Sequence, residues 1–347
     1  MQSSKNFKYS FLSKIFHKFL LNSNEMLKVF FEIEKKFFLK KIRNTKTQSL
    51  FITGLPRSGS TILLNTLYKT NLFSSLKYSD MPFITSINLW SKIKFFKKDI
   101  KSKERAHKDG IKINAESPEA FEEVFWRSQL NFKDKDKLIY EKNNYSKELI
   151  KNFEDFIKLI IYKNRKPFYL SKNNSNIIRI DLLAKNLSNK KIIILFRNPL
   201  NHCFSMFQQH INFIKSHKSD KFNLSYMNML SHYEFGLNHK PFFLSNFNSK
   251  YKPENINYWL EYWVMIYTHL LKEKKNKDVI FLSYESLINS PELIIKKILN
   301  ILNIDLKVDT NEIHNKNKSH NYNKVNKEIL LRANILYEEI KIHEIKT

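Results

Sequence analysis

Ser49-Leu-Phe-Ile-Thr-Gly54-Leu-Pro-Arg57-Ser-Gly59-Ser-Thr61 runs from an apolar stretch through a turn toward a helical pattern. Residues 49–53 predict a short buried strand, and Ile62 to Tyr68 carries apolar residues suited to a helix. A turn between strand and helix aims several backbone N–H groups at one point, and the helix start adds partial positive charge, so an anion binds there. The chain has only four glycines, Gly54, Gly59, Gly110 and Gly236, and two of them fall in this turn. In so glycine-poor a sequence, that pairing predicts a backbone that tolerates no Cβ. Gly54 and Gly59 have the G-x-x-x-x-G spacing of a nucleotide-triphosphate loop, but Ser60 stands where its lysine belongs. The cation comes three residues earlier, at Arg57. An arginine there reaches one terminal anionic group and the bridging oxygen beside it, which suits a phosphate-linked leaving group without a triphosphate tail.

Lys191-Ile-Ile-Ile-Leu-Phe196 is the clearest buried strand, followed by Arg197, the cap Asn198 and Pro199 at a first helical position. Ser205 comes eight residues after Arg197, about two turns along that helix. Open α/β sheets bind ligands at the carboxyl ends of their strands, so Arg197 and Ser205 are candidates to clamp a second phosphate. Further strands are expected at Phe168–Leu170 and Val279–Leu282. Helices are expected at Glu119–Trp126, Asn176–Leu187, about 256–270, Pro291–Ile301 and about Lys327–Ile340. Alternating strands and helices predict an α/β, P-loop-like three-layer fold, with a mainly parallel central sheet flanked by helices. Residues 1–47 read as a basic helical extension, packed on the domain or lying at a membrane surface. Residues 48–347 read as one α/β domain with insertions near 80–165 and 215–255.

Composition sets limits on this reading. Of 347 residues, 42% are hydrophobic and 14% aromatic, enough for a core and too many for wholesale disorder. Cys203 is the single cysteine, which excludes an intrachain disulfide and a Cys-based zinc site. No run of about 18 apolar residues exists to span a membrane. The N-terminus lacks the continuous apolar core of a secretory signal, so a cytoplasmic location is expected. The net charge of +27 comes from 60 Lys and Arg against 33 Asp and Glu. Only 8 of the 60 are Arg, and the lysines are spread evenly, as in a solvated surface rather than a nucleic-acid footprint.

Gly54-Leu-Pro-Arg-Ser-Gly-Ser-Thr61 resembles the 5′-phosphosulfate loop of sulfotransferases. Arg197 with Ser205 resembles their 3′-phosphate motif, and Tyr284-Glu285-Ser-Leu287 followed by Pro291 is similar to a late segment of the same family. The likeness is to the arginine-bearing branch with tyrosylprotein and bacterial carbohydrate sulfotransferases. It orders three segments across about residues 49–305. It implies 3′-phosphoadenosine-5′-phosphosulfate as co-substrate, held by Pro56, Arg57, Ser58, Gly59, Ser60, Thr61, Arg197 and Ser205, with no metal. The glycine-rich C-terminal loop of cytosolic members is absent, so the cover of the 3′-phosphate end departs from the pattern.

The implied reaction moves a sulfuryl group to a hydroxyl of a carbohydrate, lipid or small-molecule acceptor. Arg57 would stabilise charge on the leaving bridging oxygen, and Lys172 is the second cation that the resemblance suggests. A hydroxyl acceptor needs a base. Asp80, 23 residues after Arg57, is the candidate by loose likeness to a family glutamate. His107, Asp109 and Glu116, around Gly110, are candidates for the acceptor pocket. Two other classes stay in view: a P-loop kinase or nucleotide hydrolase, disfavoured by Ser60, and a basic nucleic-acid-binding protein. The acceptor's identity and the oligomeric state are not written in the sequence.

Overall fold

The computed structural model describes residues 11–42, 47–93, 103–104, 112–129, 146–242, 247–310, 313 and 324–345. Its central sheet contains β1 (Gln48–Thr53), β2 (Phe73–Ser74), β5 (Phe168–Lys172), β6 (Lys190–Phe196) and β7 (Val279–Ser283) in the order 2-5-1-6-7. Every pairing is parallel. A separate antiparallel pair joins β3 (Lys103–Glu104) to β4 (Lys112–Ile113). The glycine turn thus leaves the central strand, between the carboxyl ends of β5 and β6.

The apolar runs follow from burial on both faces. Phe51, Ile192, Ile194 and Phe196 point into one core, shared with Trp259, Trp263 and the helices Lys147–Asn164, Pro199–Ser219, Ile256–Leu270 and Lys327–Ile342. Leu50, Ile52, Ile193 and Leu195 alternate to the other face. There they meet the helices Ser60–Lys69, Tyr284–Asn289 and Pro291–Ile301 through Leu63, Leu287 and Ile294. The result is the expected three-layer arrangement.

The N-terminal helices are Phe11–Asn22 and Asn24–Phe38, with Ser23 capping the second. Leu27, Phe31 and Phe38 of the second helix join the first core. Buried Glu34 accepts from the N–H groups of Asn88 and Leu89, satisfying the start of the helix Ile87–Lys92. Burial raises the pKa of the Glu34 carboxyl. Among the described residues, no helix is long and apolar enough to cross a membrane.

Two stretches differ from the sequence reading. Residues 199–229, part of which reads as a polar insertion, form the helices Pro199–Ser219 and Lys221–Met229. Asp220 opens the second by accepting from Phe222 and Asn223 N–H. The single helix expected at Asn176–Leu187 is a 3-10 turn, Asn174–Ile177, followed by the helix Ile180–Asn186. The Asn173 side chain caps that turn, and Arg179 is drawn inward to Glu123.

Candidate active site

Gly54 has φ +131°, and a Cβ there would lie 2.2 Å from the Leu195 carbonyl oxygen, so the turn leaves β1 pressed against the backbone of β6. Arg57 has φ 76°, left-handed backbone that non-glycine residues seldom adopt. Gly59, at φ +95°, caps the helix Ser60–Lys69, and a Cβ there would meet the Tyr284 ring at 2.7 Å. The N-terminal end and dipole of that helix face the turn. Pro56, Arg57, Gly59, Ser60 and Thr61 line a cavity of about 1170 Å³. Ser58 is fully buried and is not among the lining residues.

The second motif meets the first. Arg57 Nε donates to Ser205 Oγ at 3.2 Å, and Arg197 Nη1 donates to the Arg57 carbonyl at 3.4 Å. Arg197 stacks its guanidinium 4.3 Å from the Tyr284 ring, the same ring that fills the space beside Gly59. Glu285 accepts from Asn198 N–H at 3.0 Å and from the Tyr337 hydroxyl at 3.1 Å. The Tyr284-Glu285 segment therefore ties the glycine turn to the Arg197-Asn198 turn.

His202 supports the turn from below. Trp263 Nε1–H donates to His202 Nδ1 at 3.2 Å; indole nitrogen only donates, so the imidazole proton lies on Nε2. Nε2 then donates to the Pro56 carbonyl at 2.9 Å. Burial, aided by Arg197 and Arg57, lowers the His202 pKa to about 3, and burial lowers that of His239 to about 3. Both rings stay neutral in the folded protein while unfolded histidines titrate near 6.5, so stability is complete above that pH and falls as pH drops toward 3. Each ring contributes roughly 1.4 kcal/mol per pH unit within that window. Between pH 7.5 and 5.5, above most carboxylate titration, urea denaturation should record a loss of about 3 kcal/mol from the two. A flat profile would show that they are protonated or exposed in the native state.

Lys172, at the end of β5, lines the same cavity. Its strand is anchored by two buried carboxylates that the sequence reading left unassigned. Glu122 accepts from the Tyr169 hydroxyl at 2.8 Å and from Ser171 Oγ. Glu123 pairs with buried Arg179 and accepts from Asn173 Nδ2 at 3.0 Å. Burial raises and Arg179 lowers the Glu123 pKa, with a net fall. Glu123 is therefore held as the anion.

The acceptor candidates separate. Asp80 is fully buried and not among the lining residues, and its oxygens take Lys77 N–H and the Lys163 ammonium. It ties the 3-10 turn Tyr78–Asp80 to the helix Lys147–Asn164 and offers no free oxygen to a bound acceptor. His107 and Asp109 lie outside the described residues. Glu116 lines the cavity, with its exposed carboxylate 2.6 Å from Lys77 Nζ. Three lining residues were missed by the sequence reading. Glu119 accepts from the Tyr78 hydroxyl and Ala120 N–H. His232 places Nε2 3.2 Å from the Ala120 carbonyl. Half-buried Glu234 accepts from Asn174 Nδ2 at 3.4 Å, and no ion pair engages it among the described residues. The Asn174 carbonyl accepts from the Thr53 hydroxyl, one residue before Gly54, which ties Glu234 to the carboxyl end of the central strand where the turn begins.

The lining thus offers two guanidinium groups, an ammonium, hydroxyls and loop N–H groups, a donor set suited to oxyanions, together with carboxylates and an imidazole.

The profile described as "Sulfotransferase family" matches residues 49–308. No curated protein sequence matches the chain. Among solved structures, the fold is similar to sulfotransferase STF9 from Mycobacterium avium, at 11% identity and a TM-score of 0.51, covering 96% of this chain and 79% of that one. Sulfotransferase STF1 from Mycobacterium tuberculosis H37Rv aligns at 12% identity and a TM-score of 0.47, covering 96% of this chain and 86% of that one.

Proposed function

The chain belongs to the sulfotransferase family, and from that premise we propose that it transfers a sulfuryl group from 3′-phosphoadenosine-5′-phosphosulfate to a hydroxyl of a carbohydrate, lipid or small-molecule acceptor. The observation that carries this reading is the convergence of Arg57, Ser205 and Arg197 on one cavity, with Arg57 hydrogen-bonded to both of the others. The donor set fits a compound with two anionic ends. The residues of the turn, Pro56 to Thr61, would hold the phosphosulfate, and Arg197 with Ser205 the 3′-phosphate.

In the transfer, the bond from sulfur to the bridging phosphate oxygen breaks and a bond from sulfur to the acceptor oxygen forms. Charge grows on the leaving oxygen, where the Arg57 guanidinium and loop N–H groups stabilise it. Lys172 neutralises the sulfonate. The acceptor proton passes to a carboxylate, for which Glu234 has the best-supported position, being oriented by Asn174 and unpaired with any cation among the described residues. The 3′-phosphoadenosine-5′-phosphate then leaves.

The test is release of that bisphosphate from the donor, without magnesium, over a panel of neutral glycosides, lipid alcohols and phenols. Wild-type turnover with one acceptor class, reduced by 10²-fold or more in Glu234→Gln, supports the reading. Magnesium-dependent ATP hydrolysis with no turnover of the phosphosulfate would support a kinase or hydrolase instead. Ser205→Ala removes one hydroxyl from the second clamp and should weaken bisphosphate binding roughly tenfold in calorimetry. Unchanged affinity would remove Ser205 from the site.

A further inference from the structure

The helix Asn24–Phe38 has two apolar sides. Leu27, Phe31 and Phe38 are buried, with Phe31 set edge-on against Phe125 and Phe156. Val29, Ile33 and Phe37 recur every fourth residue elsewhere on the helix and are 57%, 36% and 55% exposed. At about 100° per residue these three span an arc of about 80°. Exposed Glu25 continues the row one turn toward the N-terminus, and exposed Glu32 lies beside it, paired with Lys35 at 2.7 Å. Exposed Lys36 also lies beside the row, and exposed Lys40 follows in the next turn. Lys41 and Lys92 bring two more ammonium groups, each 5.1 Å from the Phe38 ring centroid.

An exposed row of large apolar side chains with cations gathered at one end is an interaction surface rather than a solvated face. We propose that this side of the N-terminal helices docks on an anionic lipid bilayer. Charge complementarity favours a lipid surface over a second copy of the chain, because each molecule carries a net charge of +27 and two copies repel. The inner side of the helix is engaged in the core, so only the outer row enters the headgroup region, giving a shallow and salt-sensitive contact. A second exposed row, Leu331 and Ile335 on the helix Lys327–Ile342, is bordered by Glu328 and Glu338 and has no such complement. The proposal is independent of the transfer chemistry.

The test is sedimentation of the full chain with vesicles of 30% phosphatidylserine and 70% phosphatidylcholine at low salt. Wild type should bind and be released by high salt. Val29→Ser/Ile33→Ser/Phe37→Ser should lower the partition coefficient by about tenfold or more, and so should Lys36→Glu/Lys40→Glu, which leaves the apolar row intact should the triple variant fail to fold. The charge-matched control Lys272→Glu/Lys275→Glu and the apolar control Leu331→Ser/Ile335→Ser should stay within about twofold of wild type. Three results would overturn the proposal. The first is no partitioning of wild type, and the second is control variants that fall as far as the row variants. The third is light scattering that shows the row variants splitting a dimer, which would assign the row to a second copy.

Discussion

Arg57→Ala is expected to lower sulfuryl transfer by about 10²–10³-fold while the protein stays folded. The guanidinium sits where three requirements meet. It lies at a helix N-terminus and reaches Ser205 at 3.2 Å, while the Arg57 backbone carbonyl accepts from Arg197. No other side chain of the turn carries a charge, since serine occupies the position of the usual phosphate lysine. Alanine at φ 76° inherits the same left-handed backbone without adding a new steric penalty, so the loss is confined to the chemistry. Arg57→Lys keeps a point charge but loses the planar fork, and should fall between wild type and alanine. The measurement is bisphosphate release from the phosphosulfate donor, paired with circular dichroism. Wild-type turnover in the alanine variant would remove the turn from the mechanism.

Gly54→Ala is expected to be the most damaging single methyl group in the molecule. Its Cβ would lie 2.2 Å from the Leu195 carbonyl oxygen, in the middle of a parallel ladder. That oxygen also accepts the Tyr267 hydroxyl at 2.7 Å, so it is held from both sides and has no room to retreat. The φ of +131° adds strain for any L side chain. Together these should cost about 3 kcal/mol or more, read as a lower urea midpoint or as failure to accumulate folded protein. Gly236→Ala meets the side chain of His217 instead of backbone and should be milder. A wild-type midpoint for Gly54→Ala would mean that the turn does not lie against β6.

The parts that were legible in sequence are those whose physics is local. An apolar run ending in glycine, and another ending in Arg-Asn-Pro, mark β1, β6 and the two turns after them, because strand burial and helix capping are written within a few residues. The Tyr284-Glu285 segment was visible only as a resemblance. Its physical role, filling the space beside Gly59 and holding Asn198, depends on contacts between distant parts of the chain. Glu122 and Glu123 read as polar residues of a helix, yet they are buried anchors of β5 through partners about 50 residues away. Arg179, one of only eight arginines, was the available hint, since a chain that uses lysine everywhere else spends arginine on a bidentate buried pair. His202 read as a packed helix residue, and its link to the Pro56 carbonyl required knowing that Trp263 lies on its other side. The burial of Asp80 was not legible, because its partner, Lys163, is 83 residues away and no local pattern announces it. Glu234 follows a helix whose start, Asp220, was hidden in a polar stretch.

The most direct measurement compares thermal stabilisation by 3′-phosphoadenosine-5′-phosphate, AMP, ADP and ATP at equal concentration. If Arg57 and the Arg197–Ser205 pair grip the two ends of a single nucleotide, the bisphosphate raises the melting temperature most, and Arg197→Ala erases its advantage over AMP. Equal shifts from AMP and the bisphosphate, or a larger shift from ATP, would contradict the two-ended site.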